Sequence, residues 1–547
     1  MNTDADGPGY TRALVHNYSR RMRDADGVVA SFEAKLRELK SWQEAALAAI
    51  LRRHAHTDYG RRFGFADIAG YADYRSRVPV VSYEALAPYV ERMRGDEPDV
   101  LIRGQASFFS TTSGFEASPK LVPGTHRTVI STCETILARN AYLRRDHPRA
   151  FAGRPLFIPG SMAPGKGVGH GAVTGFGYYV GHMGFEGPPL PCHLFSLPDL
   201  EVRHYCILRM ALARRDLSAL FVFNPRSLVL VLEAASRMWT ALLDDIGDGV
   251  VARRHGLPED LRSALSADVT PDPARAAELR RAGDHRPREW WPQLAVLVSA
   301  RGGPAGFYLG ELRRWLGDLP ARDLGILTAE AMLTVPVDDA TAGGVLLPDT
   351  GFFEFVPADA SDEAACPAWQ LTPGVPYRVL VTTCGGLYRY ALGVVVRVDR
   401  WFAGAPVLEF LGREHATQSL AEPAHSEHQV ARAVRAAAEA AELRLAGFTA
   451  VTASDRRPHY EVCAEIDARP TWQACNRFAW RVDDELKAAN LDYASNRDMG
   501  RLGPARLALL APGSFAKLRG QDADVESHLA SAPGLAPQLQ VIARIPW

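Results

Sequence analysis

No stretch of this 547-residue chain approaches the roughly 20 consecutive apolar residues of a membrane span, so a membrane anchor is not expected. The first residues, MNTDADGPGYTRALVHNYSR, lack the basic start and apolar run of a secretory signal. Charge of one sign is missing too. Against 62 basic residues stand 63 acidic ones, and a formal net charge of -1 leaves no field to attract nucleic acid or an anionic membrane. Cysteine is sparse: Cys133, Cys192, Cys206, Cys366, Cys384, Cys463 and Cys475 are scattered, odd in number and without C-x-x-C spacing. Reduced thiols in a cytoplasmic protein fit this better than disulfides or a zinc site. Lysine is nearly absent, confined to Lys35, Lys40, Lys120, Lys166, Lys487 and Lys517, so a lysine-dependent mechanism has few candidates.

What remains is a chain with 47% hydrophobic residues, able to bury a large core and long enough for more than one domain. Apolar residues at helical spacing (Leu36, Leu39, Trp42, Ala46, Ile50) predict one amphipathic helix over 31–54. Short apolar runs at 156–158 and 219–223, ended by Pro159 and by Asn224-Pro225, read as strands buried on both faces. Further strands are predicted at 294–299, 325–327, 351–356, 377–383 and 394–398, with helices at 227–243 and 429–441 and a solvated helical face over 259–288. Their alternation predicts α/β layers. The glycine-rich stretch 159–191, with Lys166, His170 and His182, has the length and irregularity of a segment that shapes or covers a pocket. Polar residues and Pro423 interrupt the pattern over 413–425, which places a boundary near 420 between a large domain, 1–420, and a small α/β domain, 421–547.

One loop carries chemistry. Thr112-Ser113-Gly114-Phe115-Glu116-Ala117-Ser118-Pro119-Lys120 has the frame of a phosphate-gripping loop. Ser113, Gly114 and Lys120 supply a hydroxyl, backbone freedom and a cation for negative oxygens. Its centre does the reverse: Phe115 is bulky, Glu116 repels phosphate and Ala117 restricts the backbone.

In order along the chain, this loop stands among the segments 78–101, 348–357, 382–398 (TTCGGLYRYALGVVVRV) and 408–430. Thr57-Asp58-Tyr59-Gly60, Asn224-Pro225, Trp291-Pro292, Pro458-His459-Tyr460 and Asn490-Leu491-Asp492-Tyr493 fall in the same succession. On these residues the chain resembles the GH3 acyl-acid amido synthetases, a branch of the adenylate-forming (ANL) enzymes, over nearly its whole length. The resemblance implies a large, multi-sheet N-terminal domain and a smaller C-terminal domain that swings on a hinge. It also implies chemistry that makes an acyl-adenylate from ATP and a carboxylate and then passes the acyl group to an amine.

The family's pattern locates site residues and exposes departures. Phe115, Glu116 and Ala117 stand where bacterial relatives have Thr, Thr and Gly. Leu327-Thr328-Ala329-Glu330 matches a segment whose Glu assists magnesium, and Phe352-Phe353 matches an adenine wall. Tyr388 and Arg389 open a Tyr-Arg-x-x-Gly-Asp-like motif in which Val394 replaces the Asp that accepts from both ribose hydroxyls. A buried hydroxyl left unpaired there costs about 1–3 kcal/mol. The tail lysine that closes over the family's site is matched best by Gln540, and no lysine follows Lys517. Arg413 and Glu427 persist.

These departures converge on one nucleotide, so the first expectation is a retained cleft whose nucleotide machinery has been dismantled. Such an enzyme would work without ATP or any other cofactor on an already activated, carrier- or CoA-bound acyl group in secondary metabolism, since a thioester reacts once oriented. The second is a conventional ATP- and Mg2+-dependent amido synthetase. The third is a non-catalytic binding partner of an acyl carrier. Partners are then a small acyl substrate and, in the first and third readings, an acyl carrier protein. Candidates for other chemistry in the cleft are Cys384 as nucleophile, His126 just beyond the loop, and Glu116 as base, beside Glu330. A buried structural role for Cys384 is the competing reading.

Overall fold

The computed structural model describes residues 18, 20–111, 120–158, 185, 190, 194–195, 197, 199–251, 256–267, 269–414, 425, 427–454, 457–466, 470–515 and 541–545. Ser113, Gly114 and Glu116, the glycine-rich stretch with Lys166, His170 and His182, the boundary near 420, and the tail with Lys517 and Gln540 lie outside the described residues.

The helix predicted over 31–54 forms as two, α1 (Ala25–Arg37) and α2 (Leu39–His54), because Glu38 leaves helical geometry at φ -110°, ψ 30°. Leu36 and Leu39, on either side of the break, are both buried, so the apolar stripe continues across it. Then follow α3 (Tyr71–Arg77) and α4 (Tyr83–Arg94). Antiparallel strands β1 (Phe108–Thr111) and β2 (Leu121–Gly124) flank the 112–119 loop. Helix α5 (His126–Asp146) starts directly after β2. Thr125 Oγ1 accepts from Thr128 N while Thr128 Oγ1 accepts from Thr125 N, a reciprocal capping box that fixes where the helix begins.

A parallel sheet follows, with β3 (Arg154–Ile158), β4 (Leu217–Val222), β5 (Val296–Ser299) and β6 (Ala321–Arg322) in sequence order. Its strands are continuous apolar runs because helices cover both faces, among them α6 (Leu200–Leu212) and α7 (Pro225–Asp248). Asn224 caps α7 by accepting from Arg226 N, Pro225 occupies its first position, and Gly249 at φ +69° ends it. The predicted solvated face over 259–288 is only partly so. It folds as short helices that bury Leu261, Leu265, Leu279 and Trp290 against this sheet's core, whose apolar positions the abundant arginines obscured.

The largest sheet is antiparallel and seven-stranded, built from β7 (Thr334–Val335), β8 (Gly343–Leu346), β9 (Gly351–Pro357), β10 (Cys366–Pro367), β11 (Pro376–Thr383), β12 (Tyr390–Phe402) and β13 (Ala405–Arg413). They lie in the order β10-β9-β11-β12-β13-β8-β7. Along β12 burial alternates, so Tyr390, Leu392, Val394, Val396 and Val398 share one core face. The strand predicted at 325–327 reduces to a bridge between Leu327 and Met332, a tight hairpin that presents residues 328–331.

The smaller C-terminal unit has strands β14 (Leu445–Ser454), β15 (Pro458–Ile466), β16 (Arg506–Leu510) and β17 (Val541–Ile545) in that order. Helices α8 (Glu427–Ala441) and α9 (Trp472–Ala489) pack over it around Val434, Phe478 and Val482. Among the described residues no helix is long and apolar enough to cross a membrane.

Candidate functional site

A cavity of about 60 Å³ lies among the β1–β2 pair, the first turns of α5, the 328–332 hairpin and the 383–385 turn. Phe108 and Ser110 of β1 and the whole of Val122–Gly124 in β2 form one wall. Thr128, Ser131 and Thr132, at i, i+3 and i+4 on the first turns of α5, form a second wall. The hairpin residues Thr328–Met332, including Glu330, face them, and Thr383–Gly385 with Thr350 complete the lining.

Each wall is fixed by local chemistry. In the hairpin, Thr328 Oγ1 donates to Ala331 O at 3.0 Å and accepts from Ala331 N at 3.1 Å, so the turn is locked from inside and Glu330 is left at its tip. Among the described residues Glu330 has no ion pair. The 383–385 turn is held by glycines. A Cβ on Gly385 would come within 2.7 Å of Pro123 O, and one on Gly386, at φ +92°, within 2.8 Å of Leu101 Cβ. The turn therefore rests directly on β2, the strand that leads out of the loop. From behind, His54 is buried and accepts from Arg103 N through Nδ1 at 2.9 Å. Burial is the main reason its pKa falls to about 3, so the ring is neutral at physiological pH.

Of the residues singled out in the sequence, Glu330 and Cys384 come together on this cavity. Cys384 Sγ lies 4.0 Å from Thr128 Oγ1, and burial raises the thiol's pKa, the opposite of the shift that activates a cysteine. His126 is the first residue of α5 and is half-buried, outside the cavity wall that the next turn supplies. Lys120 precedes β2 with its Nζ 5.7 Å from the centre of the Tyr83 ring. Arg413 ends β13 exposed, paired across the ladder with Val394.

Phe353, Tyr388 and Arg389 sit deeper. Phe353 is 1% exposed within the sheet core, and its N–H donates to the buried Gln43 amide at 3.0 Å. Tyr388 stacks on Tyr59 with ring centroids 5.1 Å apart and donates its hydroxyl to Leu101 O. Arg389, at φ +47°, holds Glu354 through Nε at 3.1 and 3.0 Å and donates through Nη1 to Arg75 O and Val78 O. Tyr71 donates to the same Glu354. These groups brace the turn from within the core, which is the scaffold role that residues persisting beside a changed motif can have. Val394 is 1% exposed on the same core face.

Sequence reasoning missed Thr128, Ser131, Thr132, Thr350 and Met332. The helical spacing of the first three was a readable signal, but their hydroxyls look like ordinary helix-start residues until β1 and the hairpin are placed against them. It also missed Gln43, fully buried on α2, whose Nε2 donates to Leu347 O, Pro348 O and Gly351 O and so anchors the start of β9.

Comparison with known proteins bears on this geometry. The model of the GH3 family N-terminal domain matches residues 28–321, that of its central domain 344–413, and that of its C-terminal domain 428–527. Jasmonoyl–L-amino acid synthetase JAR4 of Nicotiana attenuata is 25% identical over 528 residues, covering 90% of this chain and 90% of its own length. Indole-3-acetic acid-amido synthetase GH3.8 of Oryza sativa subsp. indica is 26% identical over 528 residues, covering 87% of this chain and 84% of its own. Among solved structures, AtGH3.15 acyl acid amido synthetase in complex with 2,4-DB superposes with a TM-score of 0.83 at 22% identity, over 96% of this chain and 97% of that one. That likeness shows a shared fold.

Proposed function

We propose that this chain, which belongs to the GH3 family, is an ATP-dependent ligase that joins a small carboxylic acid to an amine through an acyl-adenylate. The observation that carries this reading is the convergence of Glu330, the 383–385 turn and the strands flanking the 112–119 loop on one cavity. One relative above is named a jasmonoyl–L-amino acid synthetase and the other an indole-3-acetic acid-amido synthetase, which favours this reading over the carrier- or CoA-bound thioester expected first from the sequence. An acyl carrier protein as partner gains no support from them.

In the proposed reaction the acid's carboxylate oxygen bonds to the α-phosphorus of ATP and pyrophosphate leaves. The amine nitrogen then bonds to the acyl carbon, loses a proton, and AMP leaves. Magnesium is held by one or two carboxylates plus substrate phosphates, and Glu330 at its hairpin tip fits that demand. No cluster of three or more acidic, His or Cys side chains competes for the ion among the described residues. Bound there, magnesium supplies charge neutralisation for the triphosphate. Lys120, Ser113 and Gly114 are assigned to the phosphates, and the small domain, from its boundary near 420, to closure between the two half-reactions.

One observation favours a second reading, in which an activated acyl group is used without ATP. Val394 offers no acceptor where the family motif has Asp, and it is packed into the core. Acid-dependent ATP–pyrophosphate exchange separates the two, followed by mass spectrometry of amide products with an amino-acid panel. Exchange that requires a free acid is expected. No exchange with any acid, together with turnover of an acyl-CoA in the absence of ATP, would overturn the ligase assignment.

A further inference from the structure

The small domain carries an outward helix face that the proposed reaction does not use. Helix α9 turns Cys475, Phe478, Ala479, Val482 and Leu486 inward. On its other side Gln473, Arg477, Trp480, Asp484 and Ala488 are all exposed. Their spacing follows the helical period, so they form one stripe along the helix. Trp480 stands at the middle of it with 57% of its surface in solvent. Tryptophan and arginine are the side chains that most often anchor a protein–protein contact. Helix α8 packs against residues 303–308 and β13 of the large domain, whereas α9 packs against α8 and other elements of the small domain.

The charges of α9 divide into two sets. Arg481 pairs with Glu485 at 2.6 Å, and Lys487 with the buried Asp483 at 3.3 Å, so these are neutralised within the chain. Arg477 and Asp484 make no ion pair among the described residues, and they are the two that lie on the stripe. About two turns apart, they stand roughly 10 Å from each other along the axis, too far to pair. Trp480 falls midway between them. A stripe with opposite charges set evenly about an apolar centre is complementary to the same stripe run backwards. Two copies of α9 placed antiparallel about a two-fold axis beside Trp480 bring Arg477 of each copy level with Asp484 of the other, and indole against indole between them. At the ends Gln473 of each copy comes level with the small Ala488 of the other, which leaves room for close approach.

We propose that this chain pairs with a second copy of itself through the exposed stripe of α9, as a two-fold symmetric, antiparallel helix contact. The proposal stands apart from the ligase reading and does not depend on it. The indoles supply most of the affinity, and the two Arg477–Asp484 pairs fix register and orientation. One helix from each copy covers less than the roughly 1,200 Å² at which stable interfaces begin, so the dimer is reversible, with a dissociation constant in the micromolar range.

Sedimentation equilibrium of the full chain over about 1–100 µM tests it, since a contact of this size associates in that range. A reversible dimer is expected, and Trp480→Ala raises its dissociation constant at least about tenfold. Arg477→Asp alone, or Asp484→Arg alone, sets like charges opposite each other at both ends of the contact and also weakens it at least about tenfold. The double variant Arg477→Asp/Asp484→Arg dimerises again. So does an equimolar mixture of the two single variants, because one chain then carries only acidic charge on the stripe and the other only basic. Recovery on mixing shows that each single variant is folded, which separates a lost contact from a lost fold. A parent chain that stays monomeric over the whole range overturns the proposal, and that is also the result if another segment of the same chain covers the stripe. A dimer unmoved by both charge reversals, or single variants that remain monomers when mixed, overturns it as well.

Discussion

Replacing Arg389 by methionine removes the cation from a buried pair while leaving its partner in place. Glu354 is 1% exposed, and burial already raises its pKa although Arg389 opposes the shift. Without the guanidinium, the carboxyl folds best as the neutral acid. From an ordinary pKa of 4.5, taking up that proton costs about 3.4 kcal/mol at pH 7 and about 0.8 kcal/mol at pH 5. Arg75 O and Val78 O also lose a donor, at about 1 kcal/mol each. The total at pH 7 is about 5 kcal/mol, in line with the roughly 3–5 kcal/mol lost when one partner of a buried pair is removed. Because the variant's Glu354 has a folded pKa above its unfolded one, its protonation favours folding at low pH, and that contribution is lost as pH rises. The deficit relative to the parent therefore shrinks between pH 7 and pH 5, by at most about 2–3 kcal/mol because the parent's own raised Glu354 shares part of the gain. Urea unfolding followed by tryptophan fluorescence over that range measures it, and adding Glu354→Leu to the variant removes the pH dependence. A deficit that is flat with pH, or below about 1 kcal/mol at pH 7, would refute the account of this pair.

Further outcomes follow from other parts of the site. His54 has a folded pKa of about 3 against an ordinary 6.5, so the unfolded chain binds the proton first and stability falls as pH drops below about 6.5. That acid limb flattens in His54→Asn when denaturation midpoints are compared by pH. Thr125→Ala breaks the capping box of α5 and costs about 1 kcal/mol in the same urea assay, with no change in slope. On the ligase reading proposed above, Val394→Asp adds an acceptor for ribose, so ATP binds more tightly by calorimetry, while the thermal midpoint falls because a carboxylate enters the core. Cys384 is modified by iodoacetamide at pH 7.5 more slowly in the native protein than in urea, as burial of its thiol requires; equal rates would contradict that burial.

How far the sequence reached can be traced element by element. The strands ending at Pro159 and Asn224 and the helix after Asn224-Pro225 were legible because proline, a capping side chain and unbroken apolar runs act locally. The break at Glu38 was not, since periodicity continues across it and the interruption lies in one residue's backbone angles. Glu330 and Cys384 were readable as neighbours only through motif order, never through spacing. The hydroxyl row on α5 stayed hidden because a threonine at a helix start looks alike whether it caps the helix, lines a cavity, or, as Thr128 does, both. Arg389 was visible as a motif residue. Its embrace of Glu354 joins residues far apart in the chain, which no local pattern announces.

The abutment of Gly385 on Pro123 has a consequence for how this chain could diversify. Any side chain at that glycine would lever β2 out of place, so the 383–385 turn and β2 shift as one piece or not at all. Variation in the cavity's lining is left to residues such as Met332, on the facing hairpin. The glycine turn itself is closed to such tinkering, and a saturation library at 385 and 386 would return almost nothing but the parent residue.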